Sequence, residues 1–274
     1  MRKNLMVVKA VFVKEMLLWF RYPSWLFTLL FLPYMMTGLF CGVGYGIGGT
    51  EFIRNFLQKT GTGDPVLYFT LGSVIFLVST LVINDVGSSI RQEQLRGTFE
   101  YHYLSPASKV IIWLSYILPH NAISLIIASG SILPLLLIKT RDLSPLSLLI
   151  TILVLIIGIL PLFGIGMIIA ALTIKFKEPW AITNILRAII SILSGFYYPL
   201  TILPHWLQLF SNILPTTHVT LILRDVLVYE KEILLSDSRI ALLVLLSMAY
   251  LMFGFLFYRR WEIYARKTGE LSKY

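Results

Sequence analysis

The sequence predicts an all-α integral membrane protein. It would have six transmembrane helices, an N-terminal amphipathic interfacial helix, a short cytoplasmic helix after the second span and a re-entrant outer hairpin before the last. Three observations carry this. Hydrophobic residues fill 57% of the 274 positions and charged ones 14%, with a mean hydropathy of +0.80, far from the mix of a soluble globular domain. Apolar runs recur near the roughly 20 residues that a helix needs to cross about 30 Å of hydrocarbon. Lys and Arg concentrate in alternate connecting segments, as cytoplasmic loops require. The net charge of +9 therefore reads as membrane orientation rather than nucleic-acid binding.

Residues 1–21 carry Arg2, Lys3, Lys9, Lys14 and Arg21 without a long apolar core or cleavage site, so no removable signal peptide is expected there. Leu5, Val8, Phe12, Met16 and Trp19 recur at helical spacing on one face, with Lys3 and Lys14 projecting from the other toward water or headgroups. The spans then follow at roughly 25–47, 65–83, 110–138, 146–173, 180–198 and 240–258. Gly38, Gly42 and Gly46 in the first span are spaced by four. They suit either close helix packing or a loosened outer end. Pro119 and Pro134 are expected to bend the third span.

Residues 199–223, "PLTILPHWLQLFSNILPTTHVTLIL", are apolar but broken by Pro199, Pro204 and Pro215. They read as a seventh span or as two short helices that dip into the outer face and return. Charge separates the two. With six spans, the segments on the side of the termini hold 15 Lys or Arg in 66 residues, against 7 in 58 on the other. Both termini then lie in the cytoplasm, and 199–223 is the re-entrant segment. Backbone of that kind is tolerated only where protein or a water-lined cavity surrounds it.

Several chemistries are excluded. No phosphate-binding loop of the G-x-x-x-x-G-K-[ST] form occurs, since "GVGYGIGGT" lacks the lysine and "KTGTGDP" the spacing. The single Cys41 allows no intrachain disulfide. His102, His120, His205 and His218 lack metal-ligand spacing, so no metal site is expected. No Ser–His or paired-carboxylate arrangement marks an intramembrane catalytic centre, and the chain is not expected to be an enzyme.

The polar segment "RQEQLRGTFEYHYLSPAS", 91–108, lies between two apolar runs. Ser89 followed by Gln92 fits a capping box that would start a new helix, Gly97 interrupts it, and Pro106 ends it. Arg91, Glu93, Arg96 and Glu100 stud this element, with Leu95, Phe99 and Tyr103 as apolar anchors. It suits docking into a partner's cleft; a solvated intracellular loop is the plainer reading.

The segment resembles the glutamate, Gly-Thr-Leu-Glu and Ser-Pro motif of type-2 ABC exporter permeases, with Phe99 where that family usually has leucine. "SGFYYPLTILPHWLQLFSNILP", 194–215, resembles the same family's pattern before its last span. The resemblance extends over essentially the whole chain. It implies a dimer of permeases, identical or paralogous, each seated on a separate ATPase subunit that holds the ATP and magnesium; no cofactor is implied in this chain. The family's coupling helix maps onto 89–104, with Glu93, Gly97, Thr98 and Glu100 at the motif positions and Arg91, Gln94 and Arg96 beside them. It further implies outward movement of an amphipathic small molecule, lipid or glycan across a prokaryotic cell membrane. A channel or secondary carrier needing no ATPase, and a noncatalytic scaffold, are the rival readings.

Arg187 is the charged residue placed deepest in an expected span, about 13 Å along the helix from Glu178. An arginine at a helix centre costs about 2.5–3.5 kcal/mol on insertion scales. Either it snorkels or pairs within the protein, or, with Asn184 one turn before it, it faces the translocation path and meets an anionic or polar part of the cargo. Phe196, Tyr197, Tyr198 and Trp206 fall near the expected outer gate, as an interfacial aromatic belt or as the lining of an exit.

Overall fold

The computed structural model describes residues 2–98, 101, 109–138, 143–176 and 179–268. Among them there is no strand. The helices are α1 (Arg2–Phe20), α2 (Pro23–Gly48), α3 (Phe52–Thr60), α4 (Pro65–Leu95), α5 (Lys109–Ser115), α6 (Ile117–Ile138), α7 (Pro145–Phe176), α8 (Pro179–Leu193), α9 (His205–Ile213), α10 (Pro215–Leu227) and α11 (Ser238–Thr268). Five are long and apolar enough to cross a membrane: α2, α4, α6, α7 and α11. The span expected at 180–198 is helical only through Leu193. Fifteen residues rise about 22 Å, and a turn with Gly195 in the left-handed region (φ +64) ends the run.

Other boundaries also differ from expectation. α4 does not stop at 83 but continues through Leu95. Ser89 therefore caps no new helix; it sits inside α4 and donates its hydroxyl to the Val86 carbonyl at 2.6 Å. Polar pairs one turn apart support the extension, Gln92 donating to Ser88 at 2.9 Å and Arg96 to Gln92 at 3.5 Å. The third span breaks at Tyr116, between α5 and α6, because Pro119 has no N–H for the Ser115 carbonyl and its ring crowds that group. Pro134 is held inside α6. Residues 199–223 form a 3-10 turn, Leu200–Ile202, followed by α9 and α10. Pro215 occupies the first turn of α10, where its missing N–H costs nothing.

α7 is the central post, with α11 and α4 packed along it. Hydrocarbon provides no hydrophobic drive between helices, so close backbone approach supplies the contact. A Cβ on Gly254 would lie 2.2 Å from the Gly164 carbonyl oxygen, and one on Gly164 2.2 Å from that of Tyr250. The α4–α7 crossing is similar, with Gly87 against Ile169 and Gly166 against Val86. The glycine stripe noted in the sequence is not used this way. Gly38, Gly42 and Gly46 have no atom within 4 Å of a notional Cβ.

α1 packs on the core through the buried Val11 together with Val7, Met16 and Trp19, so that two members of the expected stripe face inward, while Leu5 is 71% exposed. Lys14, expected to point outward, turns inward to a partner on α4.

Gly254→Ala is expected to destabilise the protein by about 1–3 kcal/mol through overpacking. Gly42→Ala, with space around it, should be neutral or gain up to about 1 kcal/mol of helix propensity. Thermal unfolding of the two variants in detergent checks the contrast.

Candidate functional site at the locked end of α4

α4 ends on a glycine stop. The Gly97 amide donates to the Gln94 carbonyl and the Thr98 amide to the Glu93 carbonyl, both at 3.0 Å, with Gly97 at φ +67. This is the paired bonding of a Schellman ending, which needs the left-handed conformation that glycine adopts without strain. The Thr98 hydroxyl then donates to the Glu93 carboxylate at 2.5 Å. Glu93, Gly97 and Thr98 thus act together: one residue supplies the carbonyl and carboxylate that the other two close upon.

The same carboxylate accepts a hydrogen bond from Lys14 of α1 at 2.6 Å, and Arg96 approaches it at 3.8 Å. Glu93 is 7% exposed. Burial pushes Lys14 down, but the hydrogen bond to Glu93 and the fields of Tyr116, Glu93 and Glu15 outweigh it, and its ammonium is held above the ordinary lysine value. Burial raises the neighbouring Glu15 carboxyl above its usual range, opposed by Lys14 and Arg96. The favourable contribution of Lys14 is therefore full below the ordinary lysine value and is lost only as pH rises through the raised one.

Deeper along α4, Asp85 faces His120 of α6 at 3.7 Å. The His120 Nδ1 lies 2.7 Å from the Tyr116 carbonyl oxygen. A carbonyl only accepts, so Nδ1 donates there, and Nε2 is the ring nitrogen that faces Asp85. Two cavities flank this stretch of α4. One, about 560 Å³, lies against α1, α2 and α6; the other, about 550 Å³, lies against α8 and is lined by Arg91, Asn184 and Arg187 among others. Asp85 and Gln92 border both. Among the described residues no group of three His, Cys, Asp or Glu could hold a metal ion.

Residues 6–228 match the ABC-2 type transporter family. The chain belongs to that family. No curated protein matches it. Membership makes the chain a multi-pass membrane subunit, the permease component of an ABC transporter; such subunits are generally not catalytic themselves, and the family implies association with an ABC ATPase. The match stops before α11, the helix most extensively packed on α7.

The expected coupling residues of the permease divide in two. Glu93, Gly97 and Thr98 form the lock. Arg91 and Gln94 are half-buried and Arg96 is exposed. Glu100, with residue 99 and residues 102–104, lies outside the described residues. Asn184 and Arg187 are brought together, Arg187 donating to Asn184 at 2.8 Å on the edge of the second cavity. At the opposite end, Phe196 is fully buried and edges onto Phe76. Tyr197 packs on Phe40, with ring centroids 4.4 Å apart. Tyr198 donates to the Ile192 carbonyl, and Trp206 is 61% exposed.

Arg224 holds that end of the permease together. It is buried, donates to the carbonyls of Gly195 at 2.7 Å and Phe196 at 2.5 Å, and lies over the Tyr68 ring at 3.7 Å. Gly72 admits the turn: a Cβ there would sit 1.7 Å from the Phe196 carbonyl oxygen. Sequence reasoning missed Arg224, Asp85, Lys14 and Glu15 as partners. The one visible signal was their position, each a charge interrupting an apolar periodicity.

A double-mutant cycle on Lys14→Met and Glu93→Gln should return a coupling of about 1–2 kcal/mol, below the value of a fully buried pair because Lys14 is partly solvated. Chemical or thermal unfolding of the four proteins gives the number.

Proposed function

We propose that this permease is the membrane half of an ATP-driven exporter that moves an amphipathic small molecule, lipid or glycan outward across a prokaryotic cell membrane. The power comes from a separate ATPase subunit seated on residues 89–104. The observation that carries the reading is the lock on Glu93. It fastens the end of α4 to α1, so a push on the segment beyond Gly97 moves two elements as one. α4 then runs without an internal proline for 21 residues from Glu93 to Gly72, about 32 Å, and Gly72 seats the turn that Arg224 clamps. A displacement at one end therefore arrives at the other.

In this reading both termini are cytoplasmic, and ATP and magnesium act on the partner ATPase rather than on this chain. α9 and α10 form the re-entrant outer hairpin. α8 and the residues after it, to 198, complete a sixth passage through the membrane. Two copies, identical or paralogous, face each other across the exposed Ile185, Ile189 and Ile192 of α8. That arrangement sets Asn184 and Arg187 on the path and Tyr197, Tyr198 and Trp206 near its outer gate, with Phe196 as the buried seat beneath them.

Copurification of an ABC ATPase with the tagged permease separates this reading from an ATPase-independent channel or carrier and from a scaffold. Glu100→Lys is expected to leave insertion and ATP hydrolysis in place while abolishing export in reconstituted vesicles; unchanged transport would overturn the docking assignment. Arg187→Ala is expected to change the ratio of charged to neutral cargo carried, and an unaltered ratio would remove Arg187 from the path.

A further inference from the structure

The cavity between α1, the start of α2, the last turns of α4 and the start of α6 lies within one subunit, on a face of α4 adjoining the one that borders the Arg187 cavity. At about 560 Å³ it falls in the range of sites that enclose a drug-sized ligand. Its walls are aromatic: Trp19, Tyr22, Trp25 and Phe163. Tyr22 and Trp25 are 62% and 52% exposed, so the mouth is apolar and opens beside the amphipathic helix.

Its charged groups come from three helices. α1 brings Lys14 and Glu15, α4 brings Asp85, Glu93 and Arg96, and α6 brings His120; α2 contributes Ser24 and Thr28 but no charge. Glu93 is closed by Lys14 and Thr98, and Arg96 leans toward it. Glu15 has a share of the same Lys14 at 3.6 Å. Asp85 accepts no hydrogen bond and pairs with no lysine or arginine among the described residues; the one basic group facing it is the His120 ring, at 3.7 Å. An aromatic-walled chamber with such a carboxylate on its floor attracts an organic cation through ring faces and charge together.

We propose that this cavity is a binding site for an amphiphilic organic cation, its charged head against Asp85 and Glu15 and its apolar part against Trp19, Trp25 and Phe163. The site is independent of the transport reading, because it is complete within one chain and needs neither ATPase nor second permease.

The test uses the full-length chain in phosphatidylcholine nanodiscs without ATPase, with tetraphenylphosphonium as probe and the near-isosteric anion tetraphenylborate as control. Equilibrium dialysis and tryptophan quenching are the readouts. Saturable binding of the cation and none of the anion is expected. Asp85→Asn should weaken the cation about tenfold or more, whereas Glu51→Gln, which removes an exposed carboxylate at the other end of α2, should not. Discs containing phosphatidylethanolamine separate two sources of the same chemistry. Competition identifies a lipid ammonium as occupant, absence of competition a free cation, and both support the site. Equal binding of the two probe ions, or no saturable cation binding by the unmodified chain, would overturn the proposal whether or not the Asp85 variant folds. So would wild-type affinity in a folded Asp85→Asn protein.

Discussion

The carboxylate of Glu93 is the point on which the α1 end of this permease depends. An ionised carboxyl out of water is costly unless its oxygens are met by donors, and here Lys14 and the Thr98 hydroxyl meet them. Each of those donors fixes something else. Lys14 sets the rotation of α1 about its axis, and Thr98 is held in the position that the Gly97 turn requires. Helix orientation, helix termination and the departure direction of the polar segment beyond are thus set by one group. The Glu-x-x-x-Gly-Thr spacing has a mechanical meaning that does not require any of the three to touch a partner.

Away from that corner, the fold is held by contact between backbones. Gly164 and Gly254 bring α7 and α11 together, Gly87 and Gly166 bring α4 and α7 together, and Gly72 admits the Phe196 carbonyl. Such contacts tolerate no added atom, so the three-helix centre is stiff. The exposed faces of α2 and α8 carry large apolar side chains instead and suit lipid or a second subunit.

The class of fold was legible from composition, and the limits of α7 and the start of α11 were close to their apolar runs, because a continuous hydrocarbon-facing helix needs nothing beyond length; α11 runs ten residues past the expected end at 258. The errors came where tertiary contacts override local signals. Ser89 and Gln92 look like a capping box, yet the backbone at 89 is already helical and the serine bonds back to Val86. Pro119 was read as a bend, but with Ser115 carbonyl and ring in conflict the helix breaks at Tyr116. Lys14 fits a solvated face by spacing alone; only the position of Glu93, 79 residues on, turns it inward. Glycine spacing alone does not find the close contacts within the chain: Gly38, Gly42 and Gly46 meet nothing among its described residues, whereas the close approaches fall at glycines whose partners lie on other helices. Asp85 and His120 were separately visible but not as a pair, since their meeting depends on α4 continuing past 83.

Arg224 also constrains how the chain is made. The turn after α8 buries Gly195 and Phe196, whose carbonyls need a donor, and a buried carbonyl left without one costs about 1–3 kcal/mol. Their donor is synthesised some 28 residues later. A nascent chain that has reached only residue 200 has a half-length helix with an unfinished end. Residues 179–227 therefore reach their folded arrangement together, the turn completing only when α10 arrives.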